Sequence, residues 1–314
     1  MVHVRGDWEF MANTLGLQSW ANKVNMCWLC SASNSLPGLL WHDMSDGAGW
    51  RATRRTHESY LQDLRNSGAP KPFIFDAIVG LSLPCMTIDV LHAVDLGVTA
   101  HLIGNILMDC VKRNVWQGRS MKRNVELLDE ELSAWCKQHK VESRIRGHLT
   151  MERLRSDKSK FPKLKAKGAA TRHLMGFVLN LAQRHCQHDK RIVALAQLMS
   201  EFYTTIHDEA MYMTATATEY CTTIGRQLCA IYAQLSNEAC RRKEKVWKAV
   251  PKFHLFAHLC EWQIPQLGLN PRYYWCYADE DLVGSLIETA QSCHPASLAA
   301  VALTKWMLML FSEQ

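Results

Sequence analysis

The sequence predicts a mainly helical protein, and three observations carry that expectation. From Thr87 onward, apolar residues recur at helical spacing. Strand-like alternation occurs once, over residues 2–7. Two pairs of metal-binding residue types, Cys27-x-x-Cys30 and His254-x-x-x-His258, stand far apart along the chain. With 314 residues, 48% of them hydrophobic, the chain can bury a sizeable core.

In chain order, Val2-His3-Val4-Arg5-Gly6-Asp7 alternates and ends on a Gly-Asp pair, the pattern of one short strand. Residues 11–57 are rich in Asn, Ser, Gly, Asp and Trp without periodicity, an irregular stretch that a bound metal can organise. Ile88, Leu91, Val94, Leu96, Val98, Leu102, Ile103, Ile106 and Leu107 then predict a helix running to about Val115. Further helices are expected over 121–140, 147–155, 168–186, 189–209, 215–242, 243–262, 279–292 and 296–312. No internal repeat is found.

The formal charge of +6 permits a phosphate-bearing partner without demanding one. Most of the 12 cysteines sit singly in apolar stretches (Cys110, Cys186, Cys221, Cys229), as reduced thiols of a cytosolic or nuclear protein do. Residues 1–10 lack the apolar segment of a signal peptide, and no uncharged run is long enough to span a bilayer. An intracellular, soluble protein without a membrane partner is expected.

Residues 144–172 concentrate positive charge: Arg144, Arg146, Arg153, Arg155, Lys158, Lys160, Lys163, Lys165, Lys167 and Arg172 stand against Glu152 and Asp157. Such a segment can track a phosphate backbone, giving salt-dependent binding, with Lys158, Lys160, Lys163, Lys165, Lys167 and Arg172 as the DNA contacts. A solvated surface loop is an equally good reading of the same composition.

Zinc takes thiolate sulfur and imidazole nitrogen in tetrahedral geometry. The two-residue gap of Cys27 and Cys30 lets one turn present both sulfurs, and histidines four apart project from one helix face. Either pair alone is a weak signal, and together they are a stronger one. His42 and His57 offer a local alternative, but His57 follows His42 too late for a finger, so the long-range site is preferred.

These residues resemble the DDE transposases of the CACTA and Transib kind, related to the catalytic subunit of the V(D)J recombinase. The resemblance rests on Gly6-Asp7-Trp8, on Cys27-Trp28-x-Cys30, on Asp89-x-x-His92-x-x-x-x-Gly97, and on His254 and His258 followed by Glu280. It implies a catalytic aspartate, Asp7, at the end of an RNase H-like sheet (residues 1–22). A Cys-rich zinc half-site (23–60) and a large helical insertion carrying the basic segment (61–250) follow. A His half-site and C-terminal helices with the catalytic glutamate, Glu280, complete the pattern (251–314). The histidine gap is one residue shorter than is common in that group, and its first aspartate has no counterpart here, so an N-terminally truncated and inactive transposase is expected.

By that resemblance, Asp7 and Glu280 would hold Mg²⁺ or Mn²⁺ for two-metal phosphodiester hydrolysis and strand transfer, since such ions prefer carboxylate oxygen. The plainer readings are a turn residue for Asp7 and a helix N-terminal acid for Glu280, where Asp279 and Asp281 are alternatives. Asp89, His92 and Asp95 are read as a cap with a bonded histidine rather than a third acid. Trp8, Trp20, Trp28, Trp41 and Trp50 are read as buried area around the cysteines rather than base-stacking platforms. DNA is the expected partner, and a homo-oligomer is compatible with the pattern. A non-catalytic zinc-containing DNA-binding protein derived from a transposable element is the alternative, and a helical interaction protein with incidental Cys and His pairs is a third.

Overall fold

The computed structural model describes residues 3–312 apart from Ser156 and Lys158. It divides into two compact units, Met1–Tyr274 and Trp275–Gln314. The described residues are mainly helical and contain no strand.

At the centre of the first unit runs a continuous helix, α1, Leu91–Lys112, wound with the wider π repeat over Leu91–Thr99 and with the α repeat from Ala100. Leu91, Val94, Val98, Leu102, Ile103, Ile106, Leu107 and Val111 are all buried, so the helix is apolar nearly all round. That is the pattern of a helix enclosed by others. Its length and composition would also suit a bilayer, but most of it is buried inside the protein, as a core helix is. Around it lie α2 (Met121–Gln138), α3 (Met175–His185), α4 (Lys190–Asp208), α5 (Ala215–Arg241) and α6 (Pro251–His258). Successive helices α3, α4 and α5 pack on one another, and α6 packs on the π-wound start of α1. The second unit holds α7 (Tyr277–Gln291) and α8 (Leu298–Ser312), which pack together.

Capping and apolar spacing explain the long elements. Ser120, Asp189 and Thr214 each accept a backbone N–H near the start of α2, α4 and α5. On α5, Cys221, Ile224, Leu228, Tyr232, Leu235 and Ala239 bury one face. Gly225 lies on that face because a Cβ there would stand 2.4 Å from the Cβ of Cys260.

Three expectations need correction. Of the strand expected over residues 2–7, the described residues 3–7 form none (Val2 lies outside them): Val4 makes one parallel bridge to Met86, through Val4 N to Cys85 O (2.8 Å) and Thr87 N to Val4 O (2.9 Å), and the chain turns helical at Trp8. Of 147–155 only Met151–Leu154 is helical, because Gly147 takes a positive φ and the Asp129 carboxylate holds His148 Nδ1 and Leu149 N. Residues 243–250 are not helical: Lys243 and Trp247 have positive φ, and the Trp247 amide donates to Asn105 Oδ1 instead of a helix carbonyl. Beyond the segment read as irregular stands a helix that was not expected, His57–Ser67, started by a Thr56/Ser59 capping box and ended by left-handed Gly68.

Gly225→Ala tests the tightest helix contact. Helix propensity alone favours alanine by about 1 kcal/mol. The clash with a Cβ that cannot rotate away costs about 1–3 kcal/mol by overpacking, so the melting temperature should fall. An unchanged or raised value would show that α5 and Cys260 are not in contact there.

Candidate metal centre

The two halves of the site arrive by different routes. Cys27 and Cys30 sit on a turn held by its own amides: Leu29 N donates to Cys27 Sγ and Ala32 N to Cys30 Sγ, each at 3.3 Å. His254 and His258 project from one face of α6, which begins with Pro251 in its first turn. The four ligand atoms lie within 4.8 Å of one another, and all four residues are buried. Cys30 Sγ stands 3.3 Å from His254 Nε2, which is 2.8 Å from His258 Nε2. Two sulfurs and two imidazole nitrogens converging in a buried spot are a donor set that can hold a metal ion.

The electrostatics agree with that reading. Burial works against a thiolate at Cys27, but hydrogen bonding with Cys30, His254 and His258 outweighs it and holds its pKa well below the usual thiol value. Burial, reinforced by Cys27, pushes Cys30 the other way. His258 falls to about 4, through burial and then repulsion from His254, so it stays neutral as a ligand must.

Packing orients the rings. Trp50, itself buried, meets His254 and His258 edge-on at 4.4 and 5.2 Å, and Trp262 lies against His258 at 4.1 Å. Neither Nδ1 has a hydrogen-bond partner among the described residues, so aromatic contact does the work usually given to a carboxylate or carbonyl. Arg55 braces the cysteine turn from behind: its Nη1 donates to Cys27 O (2.5 Å) and Cys30 O (2.6 Å) while Nε pairs with Asp63. Sequence reading missed Arg55, which stands in no motif, and it placed Trp50 near the cysteines without assigning it to the histidines. His42 and His57 are elsewhere, against Trp41 and accepting from Leu83 N.

The other candidates are placed as follows. Asp7 Oδ1 accepts the Phe10 amide at 2.6 Å, which makes it a helix-starting turn residue. Asp89 accepts from Leu91 N and His92 N and meets His92 Nδ1 at 2.6 Å, the cap with bonded histidine that was expected. Asp95 is buried and accepts from the Tyr203 hydroxyl. Glu280 lies in the first turn of α7, beside Asp279, in the second unit. Trp8 and Trp28 are buried and meet edge-on at 5.3 Å, whereas Trp20 is half exposed.

In the basic segment, Lys160, Lys165 and Lys167 are exposed, while Lys163 and Arg172 are partly buried and Lys158 lies outside the described residues. Arg144 and Arg153 spend their guanidiniums on carbonyls of Val141, Cys136 and Arg146. Lys163 N bonds Leu154 O and Lys165 N bonds Arg153 O, so the segment folds back on itself.

No protein-family model matches the chain, and no curated protein is similar enough to count as a relative.

Arg55→Met tests the brace. It leaves two buried carbonyls without donors, at a cost of about 2–4 kcal/mol, and should lower both the melting temperature and the metal affinity. A variant as stable and as metal-retentive as the parent would remove Arg55 from the account.

Proposed function

We propose that this chain is a zinc-stabilised DNA-binding portion of a DDE transposase of the CACTA and Transib kind. The single observation that carries the reading is the convergence of Cys27 and Cys30 with His254 and His258 across more than two hundred residues. The pairs meet in the order and with the flanking residues on which the resemblance rests. Zinc is the ion that a buried set of two thiolates and two imidazoles selects. Exposed Lys160, Lys165 and Lys167 supply a face for the DNA backbone. Under this reading Asp7 and Glu280 would each be a carboxylate ligand of Mg²⁺ or Mn²⁺.

A second reading, a DNA-binding protein without catalysis, is favoured by one observation. Oδ1 of Asp7 and both carboxylate oxygens of Asp89 are engaged by helix-starting amides, as in a structural cap. Mn²⁺ titration separates the two: Mn²⁺ binding that Asp7→Asn weakens supports the transposase reading, and Mn²⁺ binding that Asp7→Asn leaves unaltered supports the second.

Metal analysis of the purified chain should find one zinc per molecule. Cys27→Ser or His258→Ala should lose it and destabilise the fold, because metal binding to the folded state adds to stability. Full zinc content and an unchanged melting temperature in both variants would contradict the site. For DNA, neutralising Lys163, Lys165 and Lys167 together should weaken binding to every sequence and flatten the salt dependence by up to about three contacts' worth. An unchanged slope would make the segment plain surface.

A further inference from the structure

One cavity of about 370 Å³ in the first unit brings together groups that the metal centre does not use. Three lysines line it, Lys163, Lys248 and Lys252, and none has a carboxylate within ion-pairing distance among the described residues. The acids on its wall are Asp7, Glu9 and Asp89, and His92 stands beside them. Asp89 is committed to the amides of Leu91 and His92 and to the His92 ring, and Asp7 to the Phe10 amide. His101 closes the cavity with a buried Nδ1 that has no partner; burial, then Lys163, Lys248 and Lys252, lowers it to about 3, so it is neutral.

Two glycines show that the lysines are placed rather than incidental. At Gly97, the last residue of the Asp89-x-x-His92-x-x-x-x-Gly97 pattern, a Cβ would stand 2.6 Å from Cδ of Lys252. At Gly104 it would stand 2.5 Å from the backbone nitrogen of Lys163, whose neighbour Leu164 donates its amide to Ala100 O. Both glycines lie on α1, so the central helix makes room for one lysine stem and for the backbone of the other. Lys248 completes the trio from the loop before α6, with its ammonium 5.5 Å from the centre of the Phe161 ring.

We propose that this cavity binds a phosphate group attached to a nucleoside, with Lys163, Lys248 and Lys252 as its cationic partners and half-exposed Trp20 at its mouth for the base. The source is either a nucleic-acid strand or a free nucleotide. The strand source rests on the DNA reading above, and the phosphate chemistry stands without it.

The test is a tryptophan-emission titration of the zinc-loaded full chain with thymidine monophosphate and, separately, with a short oligothymidylate. Lys163→Gln and Lys248→Gln should each weaken binding about tenfold or more, the loss expected for one charge-assisted hydrogen bond. Lys190→Gln, exposed at the start of α4 and outside the cavity, should leave thymidine monophosphate binding unchanged. Lys248 is exposed, so its variant keeps the test valid if Lys163→Gln fails to fold. Gly97→Ala, which crowds Lys252 while keeping every charge, should also weaken binding. Loss for both ligands supports a strand as the source; loss for the mononucleotide alone, with no oligonucleotide binding, supports a free nucleotide and counts against the DNA reading only. Oligonucleotide binding that ignores Lys163 and Lys248 overturns the cavity and leaves the DNA reading standing, and no binding of either ligand overturns the cavity outright.

Discussion

The fold of the first unit depends on a meeting between its irregular opening and the helix Pro251–His258. Residues 11–57 have few helical turns and no strand among the described residues, so they cannot build a core from regular elements. What they offer is a turn with two thiols, two buried tryptophans and the bracing Arg55. Bringing residue 30 to residue 254 closes a loop of more than two hundred residues, an entropic cost that grows slowly with length but starts high. Burying two thiols and two imidazoles at one spot also strips their polar atoms of water. A zinc ion, as proposed, offsets both costs at one point.

The helical body makes that meeting possible. Leu91–Lys112 is enclosed on all sides, and α6 packs on its π-wound start, which fixes the direction from which His254 and His258 approach. The same π-wound stretch begins at the Asp89 cap and carries Gly97, where the Lys252 stem passes. The metal centre and the lysine-lined cavity therefore hang on one short piece of backbone, reached by α6 from opposite ends: Lys252 near its start, His254 and His258 further along. π-wound stretches inside longer helices often mark functional positions.

Much of this was legible in the sequence, unevenly and for physical reasons. The long helices α2, α4 and α5 announce themselves through apolar spacing and polar caps, because a long amphipathic pattern has few other solutions. The quartet was legible because few roles need two cysteines and two histidines at turn and helix spacing. The segments 147–150 and 243–250 were misread because their polar residues are compatible with a helix. What excludes the helix is tertiary, the Asp129 carboxylate in one case and the Asn105 side chain in the other. The lone strand failed because alternation over residues 2–7 finds one bridging partner instead of a neighbouring strand. Arg55 was invisible because bracing two carbonyls requires no motif, only a position.

The central claim is that one metal ion joins the Cys27 turn to α6. X-ray absorption at the zinc edge of the purified chain tests it most directly. The account predicts two sulfurs at about 2.3 Å and two nitrogens at about 2.0–2.1 Å in a four-coordinate shell. A first shell without sulfur, a shell of four sulfurs, or protein that folds fully with no bound metal would contradict it.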